Sequence, residues 1–228
     1  MKKIYLVGII SILFIQIAHS QSFTIGLKGN YGIDWMLNSK INENQKLKYT
    51  ENSCNSGGLS LAWYFNERSY YSSIIPGINL DILYSNYNQK ITGIDSGYVT
   101  EGTKLTYLDL PILFRITPEF GPYLEAGGQL SFLLGATGDV TNTRPIQSKS
   151  PMTGDIKDKF GKTNISAMIG SGIDIDITEY FSIMLGFRVA YGLTDITSPQ
   201  SNVNGYEPTH LFAISGLAGL VYTLNYFH

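Results

Sequence analysis

The sequence predicts an all-β fold, an eight-stranded antiparallel up-and-down transmembrane β-barrel. Three observations carry this expectation. Apolar and polar residues alternate at period two in eight successive segments, the connections between segments alternate short and long, and the polar faces carry small residues rather than surface charge.

The chain opens Met-Lys-Lys, runs through IYLVGIISILFIQIA and reaches Ala18-His19-Ser20 before Gln21. This is the three-part anatomy of a secretory signal peptide. Residues 1–20 are therefore expected to be removed between Ser20 and Gln21, leaving a barrel domain at 21–228. The apolar run is too short for the roughly 20 residues of a spanning helix.

In the first segment Phe23, Ile25, Leu27, Tyr31, Ile33 and Trp35 share one face, opposite Thr24, Lys28, Asn30 and Asp34. Leu59, Leu61, Trp63 and Phe65 mark the second apolar face, and Ile74, Ile78, Leu80, Ile82 and Tyr84 the third. The fourth carries Leu108, Leu110, Ile112, Phe114 and Ile116; the fifth Leu124, Ala126, Leu130, Phe132 and Leu134. Ile165, Ala167, Ile169, Ile173, Ile175 and Ile177 form the sixth. The seventh runs through Phe181, Ile183, Leu185, Phe187, Val189, Tyr191 and Leu193, and the eighth through Phe212, Ile214, Ala218, Leu220, Tyr222, Leu224 and Tyr226. Each segment reaches the roughly 9–11 residues that a tilted strand needs to cross a membrane.

The connections after segments two, four and six are short: Asn66 to Ser69, Pro118 to Gly121, and Thr178 to Tyr180. Those after segments one, three, five and seven are long and polar, spanning 38–56, 89–103, 138–162 and 197–209. A barrel inserted from the periplasm has this asymmetry, with its short turns on the periplasmic side.

A soluble sandwich also alternates, but its polar face meets water and accepts many Lys and Glu, whereas a small lumen favours Gly, Ser and Asn. The polar faces here are of the second kind, as at Ser60, Asn79, Ser85, Gln129, Ser131, Ser166, Gly170 and Ser215. Aromatic residues gather near segment ends, including Trp35, Trp63, Tyr84, Phe181, Tyr191 and Tyr222, where amphipathic rings favour a membrane boundary. Composition agrees: 24 Gly, 16 Tyr and 11 Phe accompany only 15% charged residues. Removing Lys2 and Lys3 leaves 14 basic residues against 18 acidic ones, a formal charge of −4, so nucleic-acid binding has no electrostatic basis. Cys54, the single cysteine, lies in the polar stretch NENQKLKYTENSCNS, reads as an incidental loop thiol and excludes an intrachain disulfide.

By parity Lys28, Asp34, Asp81, Asp109, Arg115, Glu125, Asp174, Asp176 and Arg188 face the lumen. Enclosed charges must pair or hydrogen-bond, so they are expected to form a plug of salt bridges, with Asp109 and Glu125 opposite Arg115, Lys28 or Arg188. The acids outnumber the bases six to three, which leaves some carboxylates protonated or matched by a cation. Asp174 and Asp176 lie about 7 Å apart on one face, too sparse a set for calcium. Nucleophilic catalysis wants a histidine base or its equivalent. After residue 20 only His210 and His228 remain, without a recognisable serine partner, so neither a catalytic centre nor a metal or cofactor site is expected.

Four stretches occur in an order that resembles a known family: FTIGLKGNYG at 23–32, TYLDLPILFRI at 106–116, GPYLEAGGQLSFLLG at 121–135 and FRVAYGLTDI at 187–196. They resemble the outer-membrane β-barrel domain of Bacteroidetes proteins of the PorT family, from about residue 22 onward. Many outer-membrane barrels end in an aromatic that the insertion machinery reads, whereas here Phe227 is followed by His228.

The resemblance implies a non-enzymatic cell-envelope protein with a structural, surface-interaction or envelope-complex role, associated with type IX secretion. Its expected partners are outer-membrane lipid, the barrel-assembly machinery during insertion, and envelope or secretion-complex proteins. The alternatives are a transport barrel, either narrow and porin-like or passing small apolar molecules, and a lipid-modifying outer-membrane enzyme.

Overall fold

A computed structural model describes residues 22–38, 47–65, 74–94, 98–118, 122–142, 152–197 and 208–225. The expected signal peptide with its Ser20–Gln21 junction, the turn at Asn66 to Ser69, and the closing Tyr226, Phe227 and His228 lie outside these residues.

Among the described residues nine strands form: β1 (Ser22–Asn38), β2 (Leu47–Tyr64), β3 (Ile74–Ile94), β4 (Tyr98–Pro118), β5 (Tyr123–Asn142), β6 (Met152–Asp155), β7 (Thr163–Asp176), β8 (Phe181–Gly192) and β9 (Thr209–Asn225). Eight of them close a ring of antiparallel neighbours, β1-β2-β3-β4-β5-β7-β8-β9 and back to β1. Pairing of Ser22 with Asn225 at one end and Asn38 with Thr209 at the other seals the first strand to the last. Among the described residues closure leaves none of these eight strands at an edge of the ring, the condition for a sheet to sit in hydrocarbon.

Among the described residues the predicted apolar faces point outward. Leu27 is 64% exposed and Tyr31 71%, while the alternating Lys28 and Asp34 are buried at 3% and 0%. Asp81 and Arg115 are likewise fully enclosed. Such an arrangement is unfavourable in water, where exposed Leu and Ile would associate, but it suits a protein whose solvent is lipid.

The connections differ from expectation in three places. Strand pairing claims residues 47–56 of the expected first loop and most of the second, because β3 continues to Ile94 and β4 begins at Tyr98. These extensions carry polar ladders on the outer face. Asn86 donates to Asn55, Thr106 donates to Asn86, and Asn88 donates to the Ser53 carbonyl. Beyond the membrane edge a strand needs no apolar face, so alternation of hydrophobicity loses it while backbone pairing keeps it. Within the third loop, β6 pairs with β5 between Thr137↔Asp155 and Val140↔Met152. Cys54 is the third difference. It is buried in β2 and faces inward rather than lying in a loop.

Candidate functional site

The interior is stratified. Near the end shared by Ser22 and Asn225, Tyr123, Met184, Leu217 and Val221 form a small apolar cluster. Tyr123 fits because Gly172 and Gly186 face it: a Cβ at Gly172 would stand 2.5 Å from the Tyr123 hydroxyl, and one at Gly186 2.8 Å.

Next to this floor lies an ion network drawn from six strands. Lys28 of β1 donates to both Asp81 oxygens at 2.8 and 3.0 Å. Arg188 of β8 bridges, giving Nη1 to Asp81 at 2.6 Å and Nε to Glu125 at 2.6 Å. Arg115 of β4 donates Nη2 to the other Glu125 oxygen at 2.9 Å and stands 3.7 Å from Asp174. Its guanidinium also lies 3.8 Å over the Tyr123 ring, a cation–π arrangement. Asn79 donates to Asp81, and Ser60 donates to Asn79. Three cations thus meet three carboxylates in a neutral set. Enclosed in a low-dielectric interior, each charge depends on the geometry of the others.

The remaining sequence-predicted lumen residues stand apart from this set. Asp109 accepts a 2.7 Å hydrogen bond from the Tyr87 hydroxyl and pairs with no base among the described residues. Asp34 is fully buried, also without an ion pair among the described residues. Asp176 is exposed at the end of β7, where it accepts from Ser182. Glu125 meets two of its expected cations, whereas Asp81, rather than Asp109, is the second hub.

Toward the opposite end the lumen becomes apolar: Met36, Tyr87, Leu105, Tyr107, Leu133, Ile196 and Leu211 pack together, and Ile156 and Phe160 pack against them. The third loop supplies this cap. Ile156 N–H donates to the Ala136 carbonyl at 3.0 Å, a short 3-10 turn follows at Lys157–Lys159, and Gly161 N–H donates to the Ile196 carbonyl at 2.8 Å. A Cβ at Gly138 would stand 2.8 Å from Ile156 Cδ1, so glycine there leaves room for the capping side chain.

Sequence reasoning missed the apolar cap, the Tyr87 hydroxyl and the Tyr123 platform. Alternation continued past Tyr84 would have turned Tyr87 and Gln89 inward, and Leu105 and Tyr107 lie where both strand faces are partly apolar.

Aromatic rings ring the outside near both ends: Trp35 stacks on Phe212 at 5.5 Å, and Tyr180 and Phe181 flank Tyr222 at 6.0 and 5.0 Å. His210 stacks on Tyr191, with Nδ1 3.0 Å from the Gly192 carbonyl. Nearby, Asp195 accepts hydrogen bonds from the Thr197 and Thr209 amides and the Thr197 hydroxyl. Partial burial acts to raise its pKa, but those bonds and the neighbouring His210 outweigh it and hold the carboxyl below the usual carboxylate range. Among the described residues no group of three or more His, Cys, Asp or Glu is placed to hold a metal, and no helix is long and apolar enough to cross a membrane.

Residues 16–198 match the family described as Outer membrane protein beta-barrel domain. No curated protein matches the sequence. Solved structures similar to this chain include the outer membrane protein OprG from Pseudomonas aeruginosa, with 13% identity over 91% of this chain and 97% of that one, at a TM-score of 0.39. Neisserial surface protein A has 12% identity over 88% and 96% at 0.33, and the N-terminal β-barrel domain of Pseudomonas aeruginosa OprF has 15% over 89% and 97% at 0.33. With a closed antiparallel ring, an apolar exterior, a charged interior and a family match over most of its length, the chain belongs to the outer membrane protein β-barrel domain family and is an outer-membrane β-barrel.

Proposed function

We propose that this barrel is a non-enzymatic, non-conducting envelope protein whose task is carried by its outer connections as a surface-interaction or envelope-complex component. One observation carries the reading: among the described residues the lumen holds an apolar floor, a neutral ion network and an apolar cluster under the Ile156–Phe160 cap, with a small cavity of about 40 Å³ between the last two. A pore needs a continuous polar path, and an eight-stranded barrel is just wide enough to be filled.

Two further elements rest on sequence. Export by a signal peptide removed after Ser20 is supported by the first 20 residues, and association with type IX secretion is supported by the PorT-like segments. A lipid-modifying reaction finds little support at His210, whose ring is engaged with Tyr191 and Gly192 on the outer face.

Two measurements test the proposal. In planar bilayers the purified barrel gives no single-channel steps, and chemical cross-linking in intact outer membranes captures envelope proteins through the outer connections. Regular conductance steps would replace this reading with narrow transport, and altered lipid A in a strain overproducing the protein would replace it with lipid modification.

A further inference from the structure

Between the ion network and the apolar cap lies a cavity of about 40 Å³. Four buried polar atoms belong to its lining residues, Asn30 Oδ1, Ser85 Oγ, Asp109 Oδ1 and Arg188 Nη2; Ser85 faces the Asp109 carboxyl, whereas Asn30 Oδ1 and Arg188 Nη2 have no protein hydrogen-bond partner. They come from β1, β3, β4 and β8, so only closure of the barrel brings them together. A buried polar atom left unpaired is costly, and more so when it belongs to a charged group. An unpaired acceptor and an unpaired charged donor around one small space, beside a buried carboxylate, require a common occupant.

The mixture of groups identifies its chemistry. A cation there would meet the Arg188 guanidinium, an anion would meet the Asp109 carboxylate, and an apolar guest would leave Asn30 Oδ1 and Arg188 Nη2 unpaired. Water donates to the Asp109, Asn30 and Ser85 oxygens and accepts from Arg188. The space suits two or three molecules, since one water needs only about 10–15 Å³ measured this way. We infer that this cavity is a binding site for a cluster of two or three water molecules that bridges Arg188 to Asp109.

The bridge extends the ion network. It links Asp174, Arg115, Glu125 and Arg188 through water to Asp109 and Tyr87, so one polar chain runs from the floor to the base of the cap. Asp109, which lacks a direct counter-charge, gains Arg188 as a water-separated one.

A crystal structure of the barrel in detergent, at a resolution that shows ordered solvent, is expected to place water within hydrogen-bonding reach of Arg188 Nη2 and Asp109 Oδ1. In Ser85→Val, which removes a polar atom and adds methyl volume to the cavity wall, at least one water is expected to be lost while the Arg188–Asp81 pair remains. A dry cavity would overturn the assignment, as would an anomalous peak there after a rubidium soak. Should Ser85→Val fail to fold, methyl-labelled wild-type protein in micelles supplies an independent readout. Leu83 and Met168 line the cavity and should show cross-relaxation to long-lived water; its absence would overturn the inference.

Discussion

Arg188 and Asp81 meet at 2.6 Å in the closed interior although 107 positions separate them in the chain. Their strands, β8 and β3, are not neighbours in the sheet, so the contact crosses the lumen and exists only when the ring is closed. Arg188 also holds Glu125, making one guanidinium the tie between two carboxylates.

Replacing Arg188 by Met removes both contacts and leaves the network with one cation fewer than it has carboxylates. Breaking a buried pair in this way costs about 3–5 kcal/mol. Urea unfolding in detergent micelles should show that loss, with Arg188→Lys intermediate because an ammonium cannot present the forked donors.

Leu27 lies on the apolar belt, opposite Leu59 on one side and Leu220 on the other. Leu27→Arg should destabilise the barrel in lipid by up to about 2–4 kcal/mol, the cost of an arginine on the lipid-facing surface. The same substitution on a water-facing surface would be nearly neutral. Reversible unfolding from liposomes distinguishes the two.

Cys54 is 5% exposed and faces the lumen. A bulky maleimide should label it at least about tenfold more slowly in the folded barrel than after heat denaturation, since access requires opening of β2. Equal rates before and after heating would place the thiol in an open loop.

Asp195 ties the connection between β8 and β9 to Thr197 and Thr209. Because its folded pKa is depressed, the stabilisation is present above the unfolded value near 3.9 and is lost as pH falls through the lower folded value. Amide resonances of Thr197 and Thr209 followed by NMR should move together over that acidic window, and Asp195→Asn should abolish the transition.

Much of the fold was legible in the sequence. The outward faces were readable because lipid selects for apolar side chains at every second position, from Phe23 to Trp35 and from Phe181 to Leu193. The extensions of β2, β3 and β4 past the membrane edge were not. There the outer face carries Asn55, Asn86 and Thr106 in place of apolar side chains, and their pairing is held by backbone and side-chain hydrogen bonds. Cys54 was misread for the same reason.

By itself the sequence determined an exterior, a count of strands around the ring, and a set of charges that had to be enclosed, since side-chain parity follows from the geometry of a single strand. Tertiary structure alone decided which of those charges meet. Asp81 became the partner of Lys28 and Arg188, Asp109 turned to Tyr87, and the third connection folded back to seat Ile156 and Phe160 on the lumen. Contacts across a barrel depend on how far each strand is staggered against the next, and that stagger accumulates around the ring where no local pattern records it.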